Sequence, residues 1–125
     1  LGLFGGAEMR IKVQDLTELQ LDWAAAKAND TMVRIGSSGT VYAFKSGNPV
    51  MWNPSDSWAQ GGPIIEREDI HWGFGTKDGK KVVVASKYGH HLKPLLGPTP
   101  LIAAMRCFVA SKLGDEVEIP EELCK

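Results

Sequence analysis

Between Met9 and Val13 the chain alternates apolar and cationic residues, with Ile11 and Val13 set against Arg10 and Lys12, the period-two pattern of a half-buried strand. Thr17, three residues ahead of Gln20 and flanked by Leu16 and Leu21, then predicts a helix that opens on a capping box with a hydrophobic staple and runs to about Ala28. At about 100° per residue, Leu19, Trp23 and Ala26 share one face while Leu21, Ala24 and Ala28 lie nearly opposite. The helix is therefore expected to be covered on two sides, its bulky face by a sheet and its alanine face by a second helix or another chain.

Two β-rich runs, Met32 to Ile35 and Thr40 to Phe44, flank Gly36-Ser37-Ser38-Gly39 and predict a hairpin. From Ser46 to Pro63 the pattern is that of a loop, with three prolines, three glycines, two asparagines and two tryptophans, Trp52 and Trp58. Pro63 suits the first position of a short helical turn over Ile64-Ile65-Glu66-Arg67. Ile70, Trp72 and Phe74 alternate, as do Val82 and Val84, about a Lys77-Asp78-Gly79-Lys80 turn of type I′ character. Thr99-Pro100 starts a second long helix over 100–113, with Gly114 as its stop; its only polar side chains are Arg106, Ser111 and Lys112. The acidic end, Asp115 to Glu122, offers Val117 and Ile119 as strand anchors. The predicted fold is α+β, an antiparallel sheet of four to six strands with two principal helices packed on one face.

The chain length of 125 residues supports one domain, expected over 9–125 behind a leader or altered start at 1–8. A net charge of -1 removes any whole-molecule attraction to nucleic acid or anionic membrane. Cys107 and Cys124 have no CxxC spacing and make no disulfide framework. His90 and His91 are adjacent and diverge on either a strand or a helix, so no metal site is expected.

The segment 53–68 mixes short polar groups, a glycine pair and an aromatic residue. Trp58 suits a stacking wall, Asp56 and Gln60 suit orienting hydrogen-bond groups, and Gly61 and Gly62 permit close backbone approach beside Glu66 and Arg67. The plainer reading is that Trp58 pins the loop while Gly-Gly-Pro shapes its backbone. An enzyme would need carboxylates such as Asp56, Glu66 and Glu68 aimed at one point, and an extended backbone sends Glu66 and Glu68 to opposite faces. Ser57, His71 and Asp56 supply the types of a hydrolase triad without a nucleophile elbow. Lys77, Lys80, Lys81, Lys87 and Lys93 against Asp78 give a locally basic run that suits weak contact with a phosphate backbone or, more plainly, a solvated hairpin.

Four stretches resemble the NinX-like family of small proteins of unknown function carried by bacteriophages and other mobile elements. They are Leu21-Asp22-Trp23-Ala24 with Ala26-Lys27, the run Pro54 to Glu68, the run Gly97 to Arg106, and Ala110 to Val117. The resemblance implies a cytoplasmic accessory protein of mobile DNA. The expected function is a non-enzymatic interaction or small-ligand-binding role, with no cofactor, no membrane and a homodimer as the assembled form. Apolar helices and four tryptophans in so short a chain exceed what one small sheet covers.

Overall fold

The computed structural model describes residues 7–89 and 93–124. His90, His91 and residues 1–6 of the predicted leader lie outside them. Strand β1 (Glu8–Lys12) follows the predicted alternation and pairs antiparallel with β8 (Glu116–Pro120), Ile11 opposite Val117 and Met9 opposite Ile119. A 3-10 turn at Val13–Asp15 leads into α1 (Glu18–Ala28). The capping box forms as the sequence predicts: Thr17 N donates to Gln20 Oε1 at 3.0 Å, and Gln20 N donates to Thr17 Oγ1 at 3.4 Å. Gln20 Nε2 also donates to Leu123 O at 3.0 Å, which anchors the far end of the chain on the start of α1.

The first predicted hairpin forms as β2 (Val33–Ile35) and β3 (Val41–Lys45), but the stretch assigned to a loop is not structureless. It holds β4 (Asn48–Met51), where Pro49 is tolerated because the strand is at an edge, and the first half of α2 (Trp58–Arg67). Pro63 therefore stands inside a helix and not at its start. The second hairpin, β5 (Ile70–Lys77) and β6 (Lys80–Lys87), turns through Asp78 and Gly79 at φ 52° and 78°, the left-handed pair a type I′ turn requires. After β7 (Leu95–Gly97), Thr99 Oγ1 accepts from Ile102 N at 3.2 Å and starts α3 (Pro100–Leu113).

The strands do not join into one sheet of four to six. They form a two-stranded sheet β1-β8 and two three-stranded sheets, β2-β3-β4 and β5-β6-β7, all antiparallel, around three helices. The reason lies in α3, where Leu101 to Met105 and Cys107 to Ala110 are all buried. A helix apolar on every side needs cover on every side. It packs on α1, α2, the β5-β6-β7 sheet and β8, so the sheets distribute around it and no single wall carries the helices. Gly97 lets β7 close on its N-terminus, since a Cβ there would stand 2.7 Å from Ala103 N.

The alanine face of α1 meets a second helix, α3, as expected, but the bulky face is left partly uncovered. Leu21, Ala24 and Ala25 are fully buried against the core, whereas Leu19 is exposed and Trp23 only half-buried, with Lys27 Nζ 4.9 Å above its ring. Small side chains win the buried face because α1 lies directly on α3, and close helix contact favours alanine over tryptophan. Among the described residues no helix is long and apolar enough to cross a membrane.

Candidate functional site

The segment 53–68 is ordered by its own polar groups. Trp52 Nε1 donates to Asp22 O at 2.8 Å, Ser55 N donates to Asp22 Oδ1 at 2.9 Å, and Asn53 O accepts from Asp56 N and Ser57 N. Gln60 has both amide ends engaged: Oε1 accepts from Asn53 N at 2.7 Å and Nε2 donates to Met51 O at 2.8 Å. Gly61 is buried where a Cβ would stand 2.5 Å from Pro54 O, so its close approach is to the protein's own backbone. Arg67 Nη2 donates to Asn29 Oδ1 at 2.7 Å, fastening α2 to the end of α1. Asp56 and Glu66 are exposed, and a Cβ added at Gly62 would meet only the Trp58 ring, at 3.8 Å.

Trp58 is half-exposed and heads a row of aromatic side chains. Its ring lies 6.3 Å from Trp72, which meets Phe74 edge-on at 6.0 Å, and Lys81 Nζ sits 4.1 Å above Phe74. The three rings are 52%, 40% and 64% exposed. Trp72 and Phe74 stand opposite Ala85 and Val83, so they belong to the face that turns toward α3 but project past the cover it provides. The periodicity marks both as inward; only the placement of α3 decides that they reach solvent.

Trp72 and Phe74 stand on a strand whose other side is unpaired among the described residues, since β5 is at an edge of its sheet. Lys77 and Lys80 flank a two-residue turn and so form a hydrogen-bonded pair. By alternation His71, Gly73 and Gly75 turn their backbone groups to β6, while Ile70, Trp72, Phe74 and Thr76 turn theirs away. The same alternation turns Leu96 off the opposite side of the sheet. There the Gln14 amide takes both of its groups, Leu96 N donating to Oε1 at 2.9 Å and Nε2 donating to Leu96 O at 2.8 Å.

Two carboxyl groups have shifted acidities. Glu68, a tenth exposed, accepts from Lys87 Nζ at 2.7 Å, Arg67 Nε at 3.0 Å and Lys112 Nζ at 3.1 Å, and these cations, Lys87 foremost, hold it down at about 2. Burial pushes Asp22 up to about 6, with the Ser55 N–H offsetting part of the effect. Burial likewise raises Cys107 to about 11, which keeps its thiol protonated and inert. Among the described residues no three His, Cys, Asp or Glu side chains gather as metal ligands.

The lysines predicted as a basic run separate. Lys87 is held by Glu68 at the far end of β6, roughly 23 Å along the strand from Lys80 at about 3.3 Å per residue. Lys93 is exposed beyond β6. Lys77, Lys80 and Lys81 instead border a cleft of about 340 Å³ together with Arg106 of α3, a residue the sequence marked only as one of three polar side chains in an apolar helix. A second cleft of about 290 Å³, between the ends of α1 and α3 and the β1-β8 sheet, contains Trp23, but its Arg10 is paired with Glu116 at 2.8 Å.

A family model described as bacteriophage P22, NinX, matches residues 12–112. The chain belongs to the P22 NinX family. No curated protein matches it. The NinX match runs from the end of β1 to the last turn of α3, so the aromatic row, the Glu68 cluster and the basic cleft all fall inside it, while β8 falls outside.

Proposed function

We propose that this NinX-family chain is a non-enzymatic interaction module whose partner surface is the free side of β5, used to pair with a second copy. The observation that carries the reading is the row Trp58, Trp72 and Phe74 standing over an unpaired strand. Edge strands in natural proteins are blunted by lysine, proline, a bulge or a covering element. From Ile70 to Thr76 there is no lysine or proline, and the register with β6 runs through without a bulge. Antiparallel pairing of two copies about Gly73 sets Trp72 opposite the second copy's Phe74 and Ile70 opposite its Thr76, which engages every outward backbone group. The same register brings Gly73 against its own symmetry mate where Cα atoms approach closest.

The exposed parts of the three rings amount to roughly 350 Å² per copy when each aromatic side chain carries about 150–250 Å². With the strand edges this places the contact at the small end of specific interfaces, so micromolar association is expected. Sedimentation velocity across micromolar to submillimolar concentration tests it, with a shift from the 13.6 kDa monomer to a dimer expected. Thr76→Pro removes an outward N–H and sets a ring in the path of the second strand without breaking the ladder to β6, so this variant should stay monomeric with unchanged circular dichroism. A parent chain that is monomeric throughout, or a dimer that survives Thr76→Pro, overturns the reading.

A further inference from the structure

We infer that the cleft between the β5-β6 turn and α3 binds a phosphate ester of nucleotide size. Its cations are Lys77, Lys80, Lys81 and Arg106, no carboxylate lines it, and none of the four makes an ion pair among the described residues. The molecule treats its other clustered cations differently. Arg10 is paired with Glu116, and Arg67, Lys87 and Lys112 converge on Glu68. In a chain of net charge -1, four cations left together are not the by-product of a general basic excess.

Arg106 sharpens the argument. Its guanidinium is half-buried, donates Nη1 to Leu96 O at 2.7 Å and Nη2 to Leu16 O at 3.1 Å, and leaves Nε out of solvent with no acceptor. Asp15 is the acid whose field reaches it, and Asp15 makes no hydrogen bond to it. A half-buried cation hydrogen-bonded only to neutral carbonyls, with its nearest acid not bonded to it, has room for the closer counter-charge that a bound anion would supply. Two of its nitrogens being occupied, Arg106 acts as a fixed positive field, while Lys77 and Lys80 act as the mobile point charges that suit phosphate, and the Lys81 ammonium rests on the Phe74 ring. The backbone adds a donor: β7 ends at Gly97 opposite Val83, and alternation turns the Lys81 N–H toward the space beyond it. Val82, Leu96 and Pro98 give the cleft an apolar wall for a base or sugar, and about 340 Å³ lies within the range of small-molecule sites.

The phosphate ester could be a free nucleotide or a unit of a single strand, and the test separates them. Binding of AMP, adenosine and a single-stranded deoxyadenosine octamer to the full chain is measured by calorimetry at low and at physiological salt. AMP should bind at least about tenfold more tightly than adenosine, and its affinity should fall as salt rises. Lys80→Glu, at an exposed position on β6, should weaken AMP about tenfold, whereas Lys45→Glu, an equal charge reversal on β3, should leave it unchanged. An octamer that binds more tightly than AMP with a steeper salt dependence identifies a strand as the source, and equal affinities identify the free nucleotide. Absence of saturable binding of both at low salt, equal binding of adenosine and AMP, or indifference to Lys80→Glu overturns the inference. Lys80 lies off the free side of β5, so a failure here leaves strand pairing untouched and the reverse also holds.

Discussion

Asp22 carries a carboxyl group that the fold prefers protonated, because burial raises it from 3.8 to about 6. A folded acidity above the unfolded one means that the unfolded chain sheds its proton first, so stability declines as pH rises from about 4 through 6. Asp22→Asn removes the charge and keeps an oxygen for the Ser55 N–H. The variant should match the parent near pH 4 and exceed it above pH 7 by about 1–3 kcal/mol, at roughly 1.4 kcal/mol per unit of displaced acidity; urea denaturation at the two pH values measures this. Nothing in the sequence marks Asp22 as buried, because its cover is the segment Trp52 to Ser55, which folds back on α1 from about thirty residues away. By contrast, the Thr17 and Gln20 cap is legible as written, since its hydrogen bonds span three residues and need no tertiary partner.

Among the elements, β4, β7 and the first half of α2 are the ones sequence pattern does not reveal, the second half of α2 being expected as a helical turn over 64–67. Pro49 and the run Gly61-Gly62-Pro63 read as breakers, and both are accommodated by tertiary context: Pro49 at a sheet edge, Gly61 where α2 meets Pro54 and Leu101. The two glycines are not equivalent. At Gly61 an added Cβ would stand 2.5 Å from a backbone oxygen and 2.7 Å from Leu101 Cδ2, while at Gly62 the nearest atom is 3.8 Å away. Gly61→Ala should therefore lower stability by about 1–3 kcal/mol through overpacking. Gly62→Ala should leave it unchanged or raise it by up to about 1 kcal/mol through helix propensity. Thermal denaturation of the pair decides the matter, and equal losses would show that α2 does not pack as described. The same contrast bears on the candidate site, because Gln60, Gly61 and Arg67 already have partners inside the fold, whereas Trp58 adds to the aromatic row.

For the whole molecule, the α+β class and both hairpins follow from local pattern, but the arrangement of sheets does not, since it depends on how completely α3 is surrounded. That arrangement predicts uneven protection. Amide hydrogen exchange should be slowest over Ile102 to Ala110, opening only with global unfolding, and fastest among the strands in β2-β3-β4, which meets the rest of the fold chiefly through α1 and Trp52. Equal protection in the two regions would contradict a central α3. The Gln14 amide on Leu96 has a consequence for growth. Its oxygen and nitrogen mimic one rung of a neighbouring strand, so the sheet that is open along β5 is stoppered along β7. Under the proposed pairing each chain contributes one open rim and one closed one, and joining the open rims exhausts them. Addition through this sheet ends at two chains and offers no route to a filament.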